Sequence, residues 1–239
     1  MPRSARQKLW TDAACYHVLN RGHARETIFH DDDDRASFLG LLARYRNRFQ
    51  FRLYHYCLMG NHFHLLLDLP DPRRLSGMMA GLLVAYWHHY RRRHGLVGHL
   101  FQGRFKSPAI EAEPYLLSCG RYIERNPLEA GLVQKPWDER WSSCRAYACG
   151  VADPLLAPNP WYEQLGAEPA RRQERWRAFL MDDDPKEAAL RRDDWAIGSE
   201  TFRRTLHRSE ARPQPRRRGR PVVGVESAGR SIFSERATQ

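Results

Sequence analysis

The chain has 239 residues, 42% of them hydrophobic, and a formal net charge of +11, enough for one substantial core with an appendage. It has no apolar run of membrane-spanning length, and its five cysteines, Cys15, Cys57, Cys119, Cys144 and Cys149, make no Cys-x-x-Cys pair; a transmembrane helix, a disulfide scaffold and a cysteine zinc knuckle are therefore not expected. The charge comes chiefly from arginine, whose planar fork grips phosphate oxygens two at a time, and the interleaved rings of Tyr86, Trp87, Tyr90, Phe101 and Phe105 favour nucleic acid with exposed bases over a membrane surface, although for any single residue a core ring or a solvated arginine is the commoner reading. Met1-Pro2-Arg3-Ser4-Ala5-Arg6 lacks the apolar stretch of a signal peptide, so a cytoplasmic protein is expected.

In chain order, a strand is expected around Cys15–Leu19, closed by a turn at Asn20-Arg21-Gly22. His17 lies on that strand, where a packed histidine is the commoner reading and one aimed at a site the rarer. Asp31-Asp32-Asp33-Asp34 precedes Phe38, Leu39, Leu41, Leu42 and Tyr45 at helical spacing, so the carboxylates read first as a helix N-terminus and only second as metal ligands. A strand over 51–58 then passes through Gly60-Asn61 into a strand over 62–67, a link short enough to require an antiparallel hairpin. Strand alternation sends His62 and His64 one way and Phe63, Leu65 and Leu67 the other, half of a metal site on a rigid element, although taken alone such a pair is more often two hydrogen-bonded histidines.

Asp71-Pro72 opens a long helix carrying Leu75, Met78, Met79, Leu82, Leu83 and Tyr86, and Arg91-Arg92-Arg93-His94-Gly95 stops it. On this arginine-rich end, His88, His89 and His94 read as a phosphate-facing surface. The loop Phe101-Gln102-Gly103-Arg104-Phe105-Lys106 precedes a strand near 107–111, and Arg104 and Lys106 either hold a nucleic-acid backbone or are solvated loop cations. A helix over 113–126 follows, ended by Asn126-Pro127 because a residue before proline is pushed out of the helical region. Tyr122 and Asn126 are four apart and share a face of it. If that face meets His62 and His64, two imidazoles and an amide oxygen surround an ion beside a phenol, a set suited to phosphoryl transfer through a covalent phosphotyrosine. Tyr115, seven residues before Tyr122, is the rival nucleophile and reads as packing.

Strand, helix, strand, strand, helix, strand, helix is the order of an α+β domain, an antiparallel sheet with helices packed on it, occupying residues 1–150. Gly131-Leu132-Val133 and Trp141-Ser142-Ser143 close it. Pro154, Pro158 and Pro160 then form a linker into an arginine-rich helical extension over 151–210, with helices at 161–179 and 201–206. The segment 211–239 is a basic tail, expected to stay flexible until bound; residues 201–239 carry ten arginines against three glutamates. Within it Arg218-Gly219-Arg220-Pro221 matches the core of an AT-hook, whose arginines enter a narrow minor groove, and a generic basic tail is the equal alternative.

Four blocks in order, His-Val-Leu-Asn-Arg-Gly at 17–22, Tyr-Cys-Leu-Met-Gly-Asn-His-Phe-His-Leu-Leu-Leu at 56–67, Phe-Gln-Gly-Arg-Phe-Lys at 101–106 and Arg-Tyr-Ile-Glu-Arg-Asn-Pro-Leu-Glu-Ala-Gly-Leu-Val at 121–133, resemble the single-tyrosine His-hydrophobic-His endonucleases, and within them the REP-associated tyrosine transposases. The resemblance spans roughly residues 10–150 and implies a ferredoxin- or RRM-like core. By matching position it implies Tyr122 as nucleophile, His62, His64 and Asn126 as metal ligands, and Arg21, Arg104 and Lys106 at the nucleic acid. Many relatives carry glutamine at the Asn126 place, and the shorter side chain here alters its reach. It further implies Mg²⁺ or Mn²⁺ as cofactor, single-stranded or hairpin DNA as partner, a monomer or homodimer, and a bacterial cytoplasm, nucleoid-associated when bound. The function expected is a DNA transposase that cleaves and rejoins single-stranded, REP-like hairpin DNA through a 5′-phosphotyrosine. The rivals are a catalytically silent nucleic-acid binder on the same fold and a metal-dependent hydrolase that uses water.

Overall fold

In the computed structural model, which describes residues 14–191 and 194–208, the predicted order of elements is found: β1 (Ala14–Arg21), α1 (Asp32–Phe49), β2 (Arg52–Met59), β3 (His62–Asp68), α2 (Leu75–His94), β4 (Ala109–Glu111) and α3 (Ala112–Glu129). β1 lies between β3 and β4, antiparallel to both, and β2 pairs antiparallel with β3. This is the split β-α-β-β-α-β arrangement of ferredoxin-like domains, the α+β architecture expected. One strand was not foreseen. β5 (Ala196–Ile197) runs parallel to β4 and makes the sheet mixed at that edge, giving the order β2-β3-β1-β4-β5. Two residues are too few for any alternation to show. No helix among the described residues is long and apolar enough to cross a membrane.

The hairpin alternation sorts the sheet into two faces. Val18, Leu58, Phe63, Leu65 and Leu67 pack with Phe38 and Leu42 of α1 and Met78, Met79, Leu82 and Tyr86 of α2. On the opposite face Cys15, Cys57, Met59 and Leu66 pack with Leu116, Cys119 and Ile123 of α3. Asp31 caps α1, accepting from the Asp34 amide as the capping reading requires. Asp34 itself is buried and accepts from Arg93 (2.8 Å) and His94 (3.0 Å) at the end of α2, with His89 3.4 Å away. The histidine cluster expected to face phosphate is thus corrected: His89 and His94 turn to Asp34, and His88 remains exposed. A buried carboxylate needs such partners, and here they tie α1 to α2.

Two further expectations change. The tyrosine helix does not stop at Asn126-Pro127 but runs to Glu129. Proline has no N–H for the Ile123 carbonyl; Asn126 Nδ2 supplies one instead, 3.3 Å from that oxygen and 2.7 Å from the Tyr122 carbonyl, so the helix continues. The helix expected over 161–179 is two, α5 (Pro160–Glu163) and α6 (Pro169–Met181), separated around Gly166. α4 (Cys144–Cys149), α7 (Glu187–Leu190) and α8 (Glu200–Arg208) complete the helices of the described residues.

The extension packs on α3, and buried polar groups make the joint. Glu124, fully buried, accepts from His55 Nδ1 (2.8 Å), Ser143 Oγ (2.6 Å) and Trp176 Nε1 of α6 (2.9 Å). Asn159 Nδ2 donates to the other nitrogen of His55 at 3.1 Å, so His55 Nδ1–H is the donor to Glu124. Arg121, also buried, donates to the carbonyls of Phe179 and Asp182 and to Glu187, and Arg125 donates to the Leu180 carbonyl. Residues on both sides of Tyr122 are therefore bolted to the extension.

Gly120 marks the closest approach of α3 to the sheet: a Cβ there would lie 2.5 Å from the His55 ring. Gly120→Ala should destabilise the fold by about 1–3 kcal/mol, the usual cost of overpacking. Gly60→Ala, with nothing within 4 Å, should change it by less than about 1 kcal/mol. Urea unfolding of the two variants checks the pair, and equal midpoints would contradict the tight α3–β2 contact.

Candidate active site

β3 presents His62 and His64 to the face covered by α3, with Arg21 of β1 opposite His62 in register. The two rings lie 5.0 Å apart, nearly perpendicular. The Tyr122 ring stands edge-on to His64 at 5.9 Å. The strand pair and the helix tyrosine predicted from spacing are therefore brought together. His17 is corrected from a merely packed residue to a member of this cluster. Its Nε2 is 2.8 Å from His64 Nδ1, the two rings stack at 5.1 Å, and it meets Tyr122 edge-on at 5.8 Å.

Hydrogen bonds settle which atoms face the site. His62 Nδ1 lies 2.6 Å from Asn61 Oδ1, an acceptor, so Nδ1 carries the proton and Nε2 keeps its lone pair. Asn126 commits Nδ2 to the carbonyls of Tyr122 and Ile123, and its side chain is within hydrogen-bonding reach of His62, so Oδ1 is what it offers there. An imidazole nitrogen and an amide oxygen are both donors that a cation on this face could take. Among the described residues no group of three or more His, Cys, Asp and Glu side chains is placed to hold a metal. A cation here would rest on the His62 and His64 imidazoles and the Asn126 amide oxygen, with further positions open to water or phosphate oxygens.

Burial sets the protonation states. It holds the His17 imidazole down at about 4, and the His62 imidazole at about 4 with help from the nearby Arg21 charge. His64 is pushed well below the ordinary range by burial first, then by His17, His62 and Arg21. All three are neutral at neutral pH, the form in which imidazole can ligate. Burial pushes the Tyr122 phenol up, and Arg191 opposes it. The Arg191 guanidinium lies 5.7 Å from the centre of the Tyr122 ring, held by Glu129 (2.6 Å) and Glu187 (2.5 Å). Sequence reasoning missed Arg191: it sits far downstream in the extension, and no motif or spacing links it to the tyrosine.

Of the cations predicted at the nucleic acid, Arg21 lies opposite His62 in the β1–β3 register. Arg21 is exposed at the end of β1. The loop carrying Arg104 and Lys106 is strapped to β1, with Gln102 N donating to Arg21 O (3.0 Å), Asn20 Nδ2 to Gly103 O (3.3 Å) and Lys106 N to Leu19 O (2.9 Å). Both side chains are exposed. Arg218 and Arg220 lie outside the described residues. Tyr115 packs at the edge of the α3 core with the Lys186 ammonium 5.8 Å from its ring, and none of the site histidines stacks on it.

Residues 11–126 match a protein-family model described as "Transposase IS200 like". A solved structure of a REP-associated tyrosine transposase bound to a REP hairpin is similar at 18% sequence identity and a TM-score of 0.49, covering 66% of this chain and 93% of that one. No curated protein matches.

The depressed imidazoles make stability pH-dependent. Unfolded histidines take protons near pH 6.5, and the folded His17 and His62 refuse them until about 4. The unfolded state then binds more protons in that window, so stability is full above pH 7 and falls as the pH drops from 6.5 towards 4. His17 alone should cost on the order of 3 kcal/mol across the window. Urea unfolding in metal-free buffer between pH 8 and 4.5 measures this; a flat profile below pH 6.5 would mean the imidazoles are not buried neutral.

Proposed function

We propose, from the match of residues 11–126 to the IS200-like transposase model, that the chain is a transposase of that kind and cleaves and rejoins single-stranded, hairpin-forming DNA with Tyr122 as nucleophile and a divalent cation at His62, His64 and Asn126. The observation that carries the reading is the Tyr122 ring at 5.9 Å from His64, on the face where His62 and His64 share one strand. The two rings are in edge-on contact, so a phosphodiester bound along that face would reach both the phenol and the imidazole pair. Mn²⁺ or Mg²⁺ is the ion expected, with imidazole ligation favouring Mn²⁺.

Tyr122 Oη attacks phosphorus, and the bond from phosphorus to the 3′ oxygen breaks. The phenol proton leaves to solvent and the departing 3′ oxygen takes one up, so a 5′-phosphotyrosine and a free 3′-hydroxyl result. The new ester keeps the phosphoryl energy, and a 3′-hydroxyl from a second strand can reverse the step without ATP. A bound cation would polarise the non-bridging phosphate oxygens. α3 holds Tyr122 at a fixed distance from the sheet, because Arg121, Glu124 and Arg125 on the same helix are anchored in the extension. Arg191 supplies positive charge beside the phenol, where charge develops as the proton leaves. Arg21, Arg104 and Lys106 take backbone phosphates and fix the strand's register without reading its bases.

Incubation of labelled hairpin DNA with Mn²⁺ and resolution on a denaturing gel tests the reading. The parent protein should give a protein-linked fragment, Tyr122→Phe none, and His64→Ala none. Cleavage without linkage in the parent would make water the nucleophile. Binding with no cleavage, on hairpins that the protein retains, would make it a silent binder, and linkage surviving in Tyr122→Phe would move the nucleophile elsewhere.

A further inference from the structure

One buried polar side chain at the site has no part in the chemistry above. His17 is 3% exposed, as is His64, and the only short contact between their rings is the 2.8 Å approach of His17 Nε2 to His64 Nδ1. We propose that His17 is a positioning residue: its unprotonated Nε2 accepts the His64 Nδ1 proton and so holds His64 with a bare Nε2 turned to the cation. The inference rests on the reading of His62, His64 and Asn126 as the cation's donors.

A single proton lies between those two nitrogens, and its owner decides what His64 can do. With the proton on His64 Nδ1, Nε2 has a free lone pair and can ligate. With the proton on His17 Nε2, neutral His64 must carry its own proton on Nε2, where it blocks a cation. His17 in its Nδ1-protonated form selects the ligating tautomer before any metal arrives. The rings stack with 23° between their planes, which also resists rotation of the His64 ring. The neighbouring ligand has the same support from a different group: Asn61 Oδ1 receives the His62 Nδ1 proton at 2.6 Å. Both imidazoles thus give Nδ1–H to a fixed acceptor, one an amide oxygen and one a ring nitrogen. Such partners raise the basicity of the ligating nitrogen and set its direction. A histidine kept only to fill space between β1 and α3 would need no acceptor aimed at a neighbour's ring nitrogen.

Two substitutions separate the acceptor from the bulk. His17→Gln places an amide oxygen close to where Nε2 stood, whereas His17→Leu keeps similar volume and offers no acceptor. The first readout is the His64 tautomer in metal-free, ¹⁵N-labelled full-length protein, taken from two-bond nitrogen–proton correlations. His64 should be protonated at Nδ1 in the parent and in His17→Gln, and should become a tautomer mixture in His17→Leu. The second is Mn²⁺ affinity by titration calorimetry. His17→Leu should bind 10–100-fold more weakly, the usual range for losing such a partner, and His17→Gln should stay close to the parent. Circular dichroism and thermal melting verify folding. If the leucine variant does not fold, His17→Asn replaces it, because its shorter amide leaves the Nε2 position empty.

Three results overturn the proposal: parent His64 protonated at Nε2, undiminished Mn²⁺ binding by a folded His17→Leu or His17→Asn protein, or equal losses in the glutamine and acceptor-free variants. A parent that binds no Mn²⁺ would remove the donor assignment itself, a failure recognisable without either variant.

Discussion

Everything in this structure depends on how α3 is fastened over the polar face of the sheet. That face carries His17, His55, His62 and His64 where an ordinary sheet would carry aliphatic residues, so apolar packing alone cannot hold a helix there. The joint is made instead by Glu124 and Arg121, two charges taken out of water and matched by several partners each. Buried charges are tolerable only when so matched, and removing one partner typically costs about 3–5 kcal/mol. The joint contributes uniqueness as much as strength: one rotation of α3 satisfies Glu124, Arg121 and Arg125 together, and in that rotation Tyr122 meets the histidines.

The extension beyond the family match is consequently part of the site's foundation. Trp176, Phe179 and Asp182 receive or supply hydrogen bonds that locate α3, Asn159 holds His55 against Glu124, and Arg191 reaches back over the tyrosine ring. The same burial that fixes geometry keeps the imidazoles neutral and the phenol protonated at rest. At the proposed cation site, such a neutral donor set would bring no counter-charge from the protein. On the proposed reading, the balancing negative charge would come from the substrate phosphate, so that cation and substrate would bind together.

Much of this was legible in the residues. Alternation along 62–67 separated the histidines from Phe63, Leu65 and Leu67; the four-residue interval joined Tyr122 to Asn126; the aspartate run announced the start of α1. What stayed hidden has a common cause. Arg121 and Glu124 have the polarity of a solvated helix face, and a periodic pattern cannot distinguish a charge in water from one with buried partners far along the chain. His55 and Arg191 went unmarked for the same reason. Pro127 carried a correct local signal, overridden by an amide side chain that replaced the missing N–H. His17 had the right strand and the right parity, yet only the cross-strand diagonal to His64 gives its ring nitrogen a purpose.

The margins of the sheet have an effect of their own. At one side β5 covers β4, and Ser199 donates from both backbone and hydroxyl to Glu111 beside it. At the other, Leu58 N donates to Trp141 O, Ser143 N to Tyr56 O and Ala157 N to Leu53 O, so later chain shields β2 along its length. Exposed strand borders invite a second molecule to add on, and these are occupied or very short. Among the described residues, then, the sheet leaves no long strand border open for a second molecule to extend.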